Sequence, residues 1–251
     1  MNSVFLTDIG RIRSHNEDNG GIFVNKDNEV LAVVCDGMGG HQAGDIASAK
    51  AVEQIKTLWE ETSNISSPDH AEVWLTETIS QVNSEINLYA NKNGDCYGMG
   101  TTVVAAVCGD SFLSIAHVGD SRGYITMNEN LKQLTDDHSF VYELVKSGQI
   151  TKEDAEFHPR KNVLLQALGT DSHVKVDVKT IAVDEDSTLL LCSDGLTNKL
   201  NDRTIFEVLQ HAEMTLGEKA EKLISIANEN GGEDNITVAI VELSVTEIER
   251  G

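Results

Sequence analysis

Proline, cysteine and basic charge are all scarce in this chain, and each scarcity excludes something. Only 2 of the 251 residues are proline, and no Ser/Gly-rich stretch interrupts the sequence. Nothing marks a linker, so residues 1–251 read as one domain, with 40% hydrophobic residues to build a sizeable core. The four cysteines, Cys35, Cys96, Cys108 and Cys192, form no CxxC pair and no Cys/His set at zinc spacing. Three of them lie in apolar runs, where a thiol behaves as a small hydrophobe. Reduced, buried cysteines in a cytoplasmic protein are therefore expected. Lys and Arg number 19 against 41 Asp and Glu, a formal net charge of −22. Without a basic run, the chain offers nothing to nucleic acid or anionic lipid, which need clustered cations. The opening MNSVFLTDIGRIRSHNED has no apolar stretch of signal-peptide type. No window approaches the roughly 18 apolar residues of a membrane-spanning helix. A GxxxxGK(S/T) loop, an HRD/DFG set and a His-Cys-x5-Arg loop are also missing, which removes the chemistries those motifs carry.

What is present is patterned. Val4–Thr7, Gly21–Val24 and Val30–Cys35 read as short strands separated by Gly, Asn and Asp. Two helices follow, one carrying Ala47, Ala51, Val52, Ile55, Leu58 and Trp59, the other Leu75, Ile79, Val82, Ile86 and Tyr89 at three-four spacing. Both tryptophans, Trp59 and Trp74, fall on apolar stripes and are expected in the core. Ser66-Ser67-Pro68-Asp69 reads as loop and helix start. Thr102–Val107, Phe112–Val118, Gly123–Thr126 and Leu131–Leu134 read as a strand meander. Residues 139–158 read as polar helix, Val174–Val183 and Ser187–Cys192 as strands, about 203–211 and 217–229 as helices, and Ile236–Leu243 as the closing strand. Helices arrive in pairs rather than between successive strands, which argues against a parallel βαβ fold. The expected class is α+β, a four-layer αββα sandwich of two mostly antiparallel sheets, each covered by a helix pair.

An apolar strand ending in Asp-Gly occurs twice, in LAVVCDGMGGH (31–41) and LLLCSDGLTNKL (190–200). A carboxylate at a strand end can point into a cleft, and the glycine beside it lets backbone approach closely. A single Asp-Gly is usually a turn, but two after apolar runs are harder to dismiss. Further acidic motifs are TDIG with Arg13 and Asn16-Glu17-Asp18, then HVGDSR around Asp120, and GGEDNIT around Asp234. Hard cations such as Mg²⁺ and Mn²⁺ favour such oxygen ligands, and Asp36, Asp194 and Asp234 are the leading candidates.

In this order, TDIGRIRSHNED, VVCDGMGGHQAGDIAS, GMGTTVV, AHVGDSRGYI, LTDDHS, LLQALGT, LLLCSDGL and GGEDNITV resemble the metal-dependent protein phosphatases of the type 2C (PPM) family. The likeness runs from residue 7 to residue 238 and most resembles single-domain members from Gram-positive bacteria that oppose a membrane serine/threonine kinase. It implies hydrolysis of phosphoserine and phosphothreonine esters in phosphoproteins by a water bridging two divalent cations, Mn²⁺ or Mg²⁺, with a third ion in some bacterial members. Asp36 would bridge the pair, the Gly37 carbonyl would touch one ion, and Asp194 and Asp234 would complete the set. Glu17 and Asp18 would hold metal-bound waters, Asp120 with Asp194 would take the third ion, and Arg13 would grip the substrate phosphate. A helical flap over about 136–160 would influence substrate choice. The expected state is a cytoplasmic monomer.

The chain departs from the family's DGH form, because Met38 stands where the proposed general-acid histidine would be; His41 is the substitute candidate. Asp136-Asp137-His138 looks metal-like, but helix capping is the expected role. His117 and Arg122 are expected to make structural hydrogen bonds. Val183-Asp184-Glu185-Asp186-Ser187-Thr188 spells the DxDxT of haloacid-dehalogenase-like phosphatases, yet the helix order does not suit that parallel sheet. A folded regulatory relative without turnover is the competing reading, disfavoured because every matching aspartate is present.

Overall fold

The computed structural model describes residues 1–39, 43–65, 67–127, 129–184 and 187–243. It contains strands β1 (Ser3–Asp8), β2 (Asp18–Val24) and β3 (Val30–Met38), then helices α1 (Ala43–Glu61) and α2 (Pro68–Lys92). Strands β4 (Gly100–Thr101), β5 (Val103–Cys108), β6 (Phe112–Val118), β7 (Arg122–Met127) and β8 (Asn130–Gln133) follow. Short helices α3 (Phe140–Lys146) and α4 (Lys152–Glu156) precede β9 (Asp177–Ala182) and β10 (Thr188–Cys192). Helices α5 (Asp194–Thr197), α6 (Asp202–Leu209) and α7 (Leu216–Glu229) lead to β11 (Ile236–Glu242).

Two sheets result, ordered β1-β11-β10-β7-β8 and β2-β3-β5-β6-β9, with β4 pairing β3. Every strand pairing among the described residues is antiparallel. That removes the parallel-sheet reading of the Asp184 motif, whose Glu185 and Asp186 lie outside the described residues.

Side chains alternate across each strand, so the apolar runs feed two core layers at once. In β3 and β5, Ala32, Val34, Val104 and Ala106 meet Leu189, Leu191, Ala239 and Val241 of the opposite sheet. Leu31, Val33, Val103 and Ala105 face the other way, onto Ile55, Trp59, Leu75 and Ile79 of α1 and α2. On the far side, Leu190, Val238 and Ile240 pack against Ile205, Leu209, Leu223 and Ala227 of α6 and α7. Covering both faces of both sheets explains why these strands are continuously apolar rather than alternating, and the four-layer sandwich expected from the helix order is the one observed. Helix starts follow the local chemistry: Ser67 caps α2 with Pro68 at its first position, and Thr215 and Glu218 form a capping box on α7. Ser66 lies outside the described residues.

Four details differ from the sequence reading. The 101–134 strands are not one meander, since β6 and β7 belong to different sheets and the chain crosses between them at Gly119–Ser121. The stretch expected as one helix over 139–158 is two short helices, neither of which buries a residue. Strand β9 begins at Asp177, because Val174 and Val176 turn instead onto the α1–α2 core layer. Trp59 is fully buried as expected, whereas Trp74 is only partly buried and packs edge-on against it, with ring centroids 4.8 Å apart. All four cysteines are buried and free. No helix among the described residues is long and apolar enough to cross a membrane.

Leu75 lies fully buried between α2 and the sheet. Leu75→Ala should lower unfolding free energy by about 2–5 kcal/mol, read by urea titration of tryptophan fluorescence. A loss below about 1 kcal/mol would mean that this layer is not close-packed.

Candidate metal centre

Strand ends from both sheets meet at one end of the sandwich. The β2–β3 register sets Asp18 opposite Asp36. The junction of β4 and β5 fixes the Asp36 backbone: its N–H donates to Thr102 Oγ1 at 2.9 Å, and its carbonyl accepts from the Thr102 N–H at 2.8 Å and from Thr101 Oγ1 at 2.9 Å. Next to it, the Gly37 N–H donates to the Glu17 carbonyl at 3.1 Å. A Cβ at Gly37 would collide with the Gly44 carbonyl, so only glycine lets α1 begin this close to β3. Asp194 opens the one-turn helix α5, an element that the sequence pattern does not reveal. Its Oδ2 accepts from Asn198 Nδ2 at 2.9 Å. A Cβ at Gly195 would collide with the Asn235 carbonyl, so this glycine brings α5 against the segment that carries Asp234. Asp120 stands at the crossing between the sheets.

Asp18 is the most enclosed of these carboxylates by its hydrogen bonds. Its Oδ2 accepts from Ser193 Oγ and from Thr237 Oγ1, both at 2.7 Å. Thr237 Oγ1 is in turn 2.7 Å from Thr7 Oγ1, which accepts from Asn16 Nδ2 at 2.8 Å. A relay of side chains thus runs from the rim to Asp18. Sequence reasoning misses Ser193, Thr237, Thr102 and Asn198. Only Ser193 carries a signal, as the hydroxyl directly before Asp194 in the apolar run LLLCSDGL.

Crowding leaves a clear electrostatic mark. Burial, reinforced by Asp194 and Asp234 against the two hydroxyl bonds, raises Asp18 to about 7. Burial and then Asp18, Asp194, Asp120 and Asp234 push Asp36 well above the usual carboxylate range. Asp120 is raised by burial and Asp194, and Asp194 by burial and Asp234. Asp18 Oδ1 and Asp194 Oδ1 are buried with no hydrogen-bond partner. Buried oxygens of this kind ordinarily have partners, and a hard divalent cation would supply the missing positive charge. Among the described residues, no three His, Cys, Asp or Glu side chains form a ready-made cage for one ion. The site therefore suits ions that touch the protein through one or two carboxylates and keep several waters.

Among the described residues, the side-chain cation bonded to the candidate carboxylates is Arg13, at the rim, whose NH2 donates to Asp234 Oδ2 at 2.9 Å. Glu17 lies beside it, raised by partial burial. Its carbonyl also accepts from Ser48 Oγ at 2.6 Å, tying the loop to α1. His41 lies outside the described residues, while Met38 closes β3 opposite Gly100. The neighbouring candidates are structural. Arg122 grips Asp137 through two bonds of 2.8 and 2.6 Å. His117 Nε2 donates to the Asp136 carbonyl at 2.7 Å and its ring stacks on His138 at 4.6 Å. Helix α3 is capped by Ser139, not by either aspartate, because Asp137 is already committed to Arg122.

Fold and site together define a two-sheet α/β/β/α sandwich with an acidic, cation-receptive centre where the sheets' strand ends converge. Residues 11–227 match the family model described as Protein phosphatase 2C. The chain is 53% identical over 247 residues to "Serine/threonine phosphatase stp" of Listeria monocytogenes, spanning 98% of each chain. It superimposes with a TM-score of 0.91 on serine/threonine phosphatase Stp1 from Staphylococcus aureus, at 39% identity, covering 96% of this chain and 94% of that one. The catalytic domain of the serine/threonine protein phosphatase PstP, in complex with two manganese ions, matches with a TM-score of 0.84 at 32% identity, over 97% and 98% of the two chains. The chain belongs to the protein phosphatase 2C family.

A carboxyl group raised on folding binds more protons in the folded state, so its contribution to stability is present below the unfolded pKa and falls as pH rises through the folded one. For Asp18 the window runs from 3.8 to about 7. In EDTA, the protein's melting temperature should drop across that window, with a smaller drop for Asp18→Asn. Saturating Mn²⁺ should flatten the curve. An Asp18→Asn profile that parallels the unsubstituted protein would contradict the proposed charge crowding.

Proposed function

We propose that this protein is a metal-dependent protein-serine/threonine phosphatase acting on phosphoproteins, with the five-aspartate end of the sandwich as its active site. The reading rests above all on the convergence of Asp18, Asp36, Asp120, Asp194 and Asp234 within a chain of this family, with buried carboxylate oxygens lacking partners. Asp36, Asp194, Asp234 and the Gly37 carbonyl would hold two ions, Mn²⁺ or Mg²⁺, and Asp120 with Asp194 a third. When bound, such ions supply Lewis acidity that acidifies water and neutralises phosphoryl charge.

The chain's own residues contribute orientation. Thr101 and Thr102 hold the Asp36 backbone, Asn198 holds one Asp194 oxygen, and Ser193 and Thr237 hold one Asp18 oxygen. Each carboxylate is thus set before substrate arrives, which is where preorganisation gains its effect. Glu17 and Asp18 would orient ordered waters. Arg13 is half-exposed, so its guanidinium can leave Asp234 and meet an incoming phosphoryl group without crossing the core. His41 is the proposed proton donor to the leaving alkoxide. The flap supports a role in substrate choice, since α3 and α4 bury nothing and Phe157 beside them is 86% exposed. A cytoplasmic monomer opposing a membrane serine/threonine kinase completes the proposal.

With Mn²⁺, the protein should hydrolyse p-nitrophenyl phosphate and a phosphothreonine peptide, and EDTA or Asp36→Ala should abolish both activities. An inert unsubstituted protein would favour the regulatory reading. Arg13→Ala should lower kcat/KM by roughly 10- to 100-fold, the value of a lost hydrogen bond to a charged group, mainly through KM. An unchanged KM would remove Arg13 from phosphate binding. His41→Ala should slow esters with poor leaving groups more than p-nitrophenyl phosphate, and equal effects on both would exclude it as the acid.

A further inference from the structure

Asn235 follows Asp234, immediately before β11, and is only 3% exposed. All of its side-chain hydrogen bonds reach back to the start of the chain. Nδ2 donates to the carbonyls of Ile9 and His15, both at 2.9 Å, and Oδ1 accepts from the Glu17 N–H at 2.8 Å. Because all three partners are backbone groups of fixed polarity, the amide has one satisfying orientation. Its three contacts bracket Arg13, which lies between Ile9 and His15. The rest of the loop is fastened to the same stretch: the Arg11 and Ile12 N–H groups donate to the Gly232 carbonyl at 2.7 and 3.3 Å. Between Ile12 and Glu17, Asn235 holds the His15 carbonyl and the Glu17 N–H, while the Glu17 carbonyl is held separately by the Gly37 N–H and Ser48 Oγ.

We propose that Asn235 is a positioning residue that sets the reach of Arg13 into the metal centre, coupling the phosphate-gripping loop to the segment that carries Asp234. This rests on the phosphate-gripping role of Arg13 given above. No other side chain reproduces the pattern. Aspartate has no donors for the two carbonyls, glutamine carries its amide one methylene further, and serine reaches a single partner. Truncation to alanine strands two carbonyls and one N–H in a buried position, which favours opening of the loop.

The test uses the full-length, Mn²⁺-saturated protein, with Asn235→Ala, Asn235→Ser, Arg13→Ala and the double variant. Asn235→Ala should raise KM for the phosphothreonine peptide about tenfold, with a much smaller change in kcat and an unchanged Mn²⁺ half-saturation concentration. Asn235→Ser should be intermediate, and it carries the test if the alanine variant does not fold. In the Arg13→Ala background, Asn235→Ala should add no further loss, as expected for residues acting through one another. Amide hydrogen exchange should accelerate over residues 13–17 and stay unchanged in α1 and β3. Additive losses, a shifted Mn²⁺ requirement with KM unchanged, or unaltered exchange at the Glu17 amide would each overturn the proposal. An unsubstituted protein inert toward both phosphoesters would instead sink the phosphatase reading itself.

Discussion

Everything in this molecule is arranged around a mutual repulsion. Five carboxylates are gathered where two sheets run out of strand, most of them shielded from water, with one arginine at the rim bonded to them. Left alone, such a group resists ionisation, and the raised proton affinities of Asp18, Asp36, Asp120 and Asp194 express that resistance. The fold holds them together by fixing the backbone or side chain around them. Asp36 is fixed by Thr101 and Thr102, Asp194 by Asn198 in its helical turn, and Asp18 by two hydroxyls, while Asp120 stands at the crossing between sheets. The two buried apolar faces of each sheet supply the rigidity, and the acidic end exploits it.

Such a design makes the net charge of −22 compatible with catalysis on anionic substrates. The acid excess repels nucleic acid and phosphoprotein alike at long range. On the proposed reading, capture rests on short-range chemistry, with cations at the centre and Arg13 at its edge.

Much of this is legible in the amino-acid sequence alone. An apolar run followed by Asp-Gly marks a strand delivering a carboxylate to a cleft, so Asp36 and Asp194 announce themselves, and paired helices announce the sandwich. Other features leave no trace. A strand–Gly-Asp–strand segment reads the same whether it forms a hairpin or crosses between sheets, which is why β6 and β7 look like neighbours on paper and lie in different sheets. The role of Asn235 is invisible for a different reason. Its partners are carbonyls and an N–H, and backbone atoms leave no mark on the identity of the residues that carry them. Ser193 and Thr237 stay hidden because a hydroxyl in an apolar strand looks like any other tolerated polar residue until its partner across the sheet is known.

The order of the first sheet has a temporal meaning. β11, the last strand, does not lie at an edge but is inserted between β1, the first, and β10. Until the ribosome has released residues 236–242, β1 and β10 have no common neighbour, Asp18 lacks the Thr237 hydroxyl, and Asp234 has no strand to hold it. The centre closes only when residues 3–8 and residues 236–242 are zipped together. Such closure between segments more than two hundred residues apart slows folding.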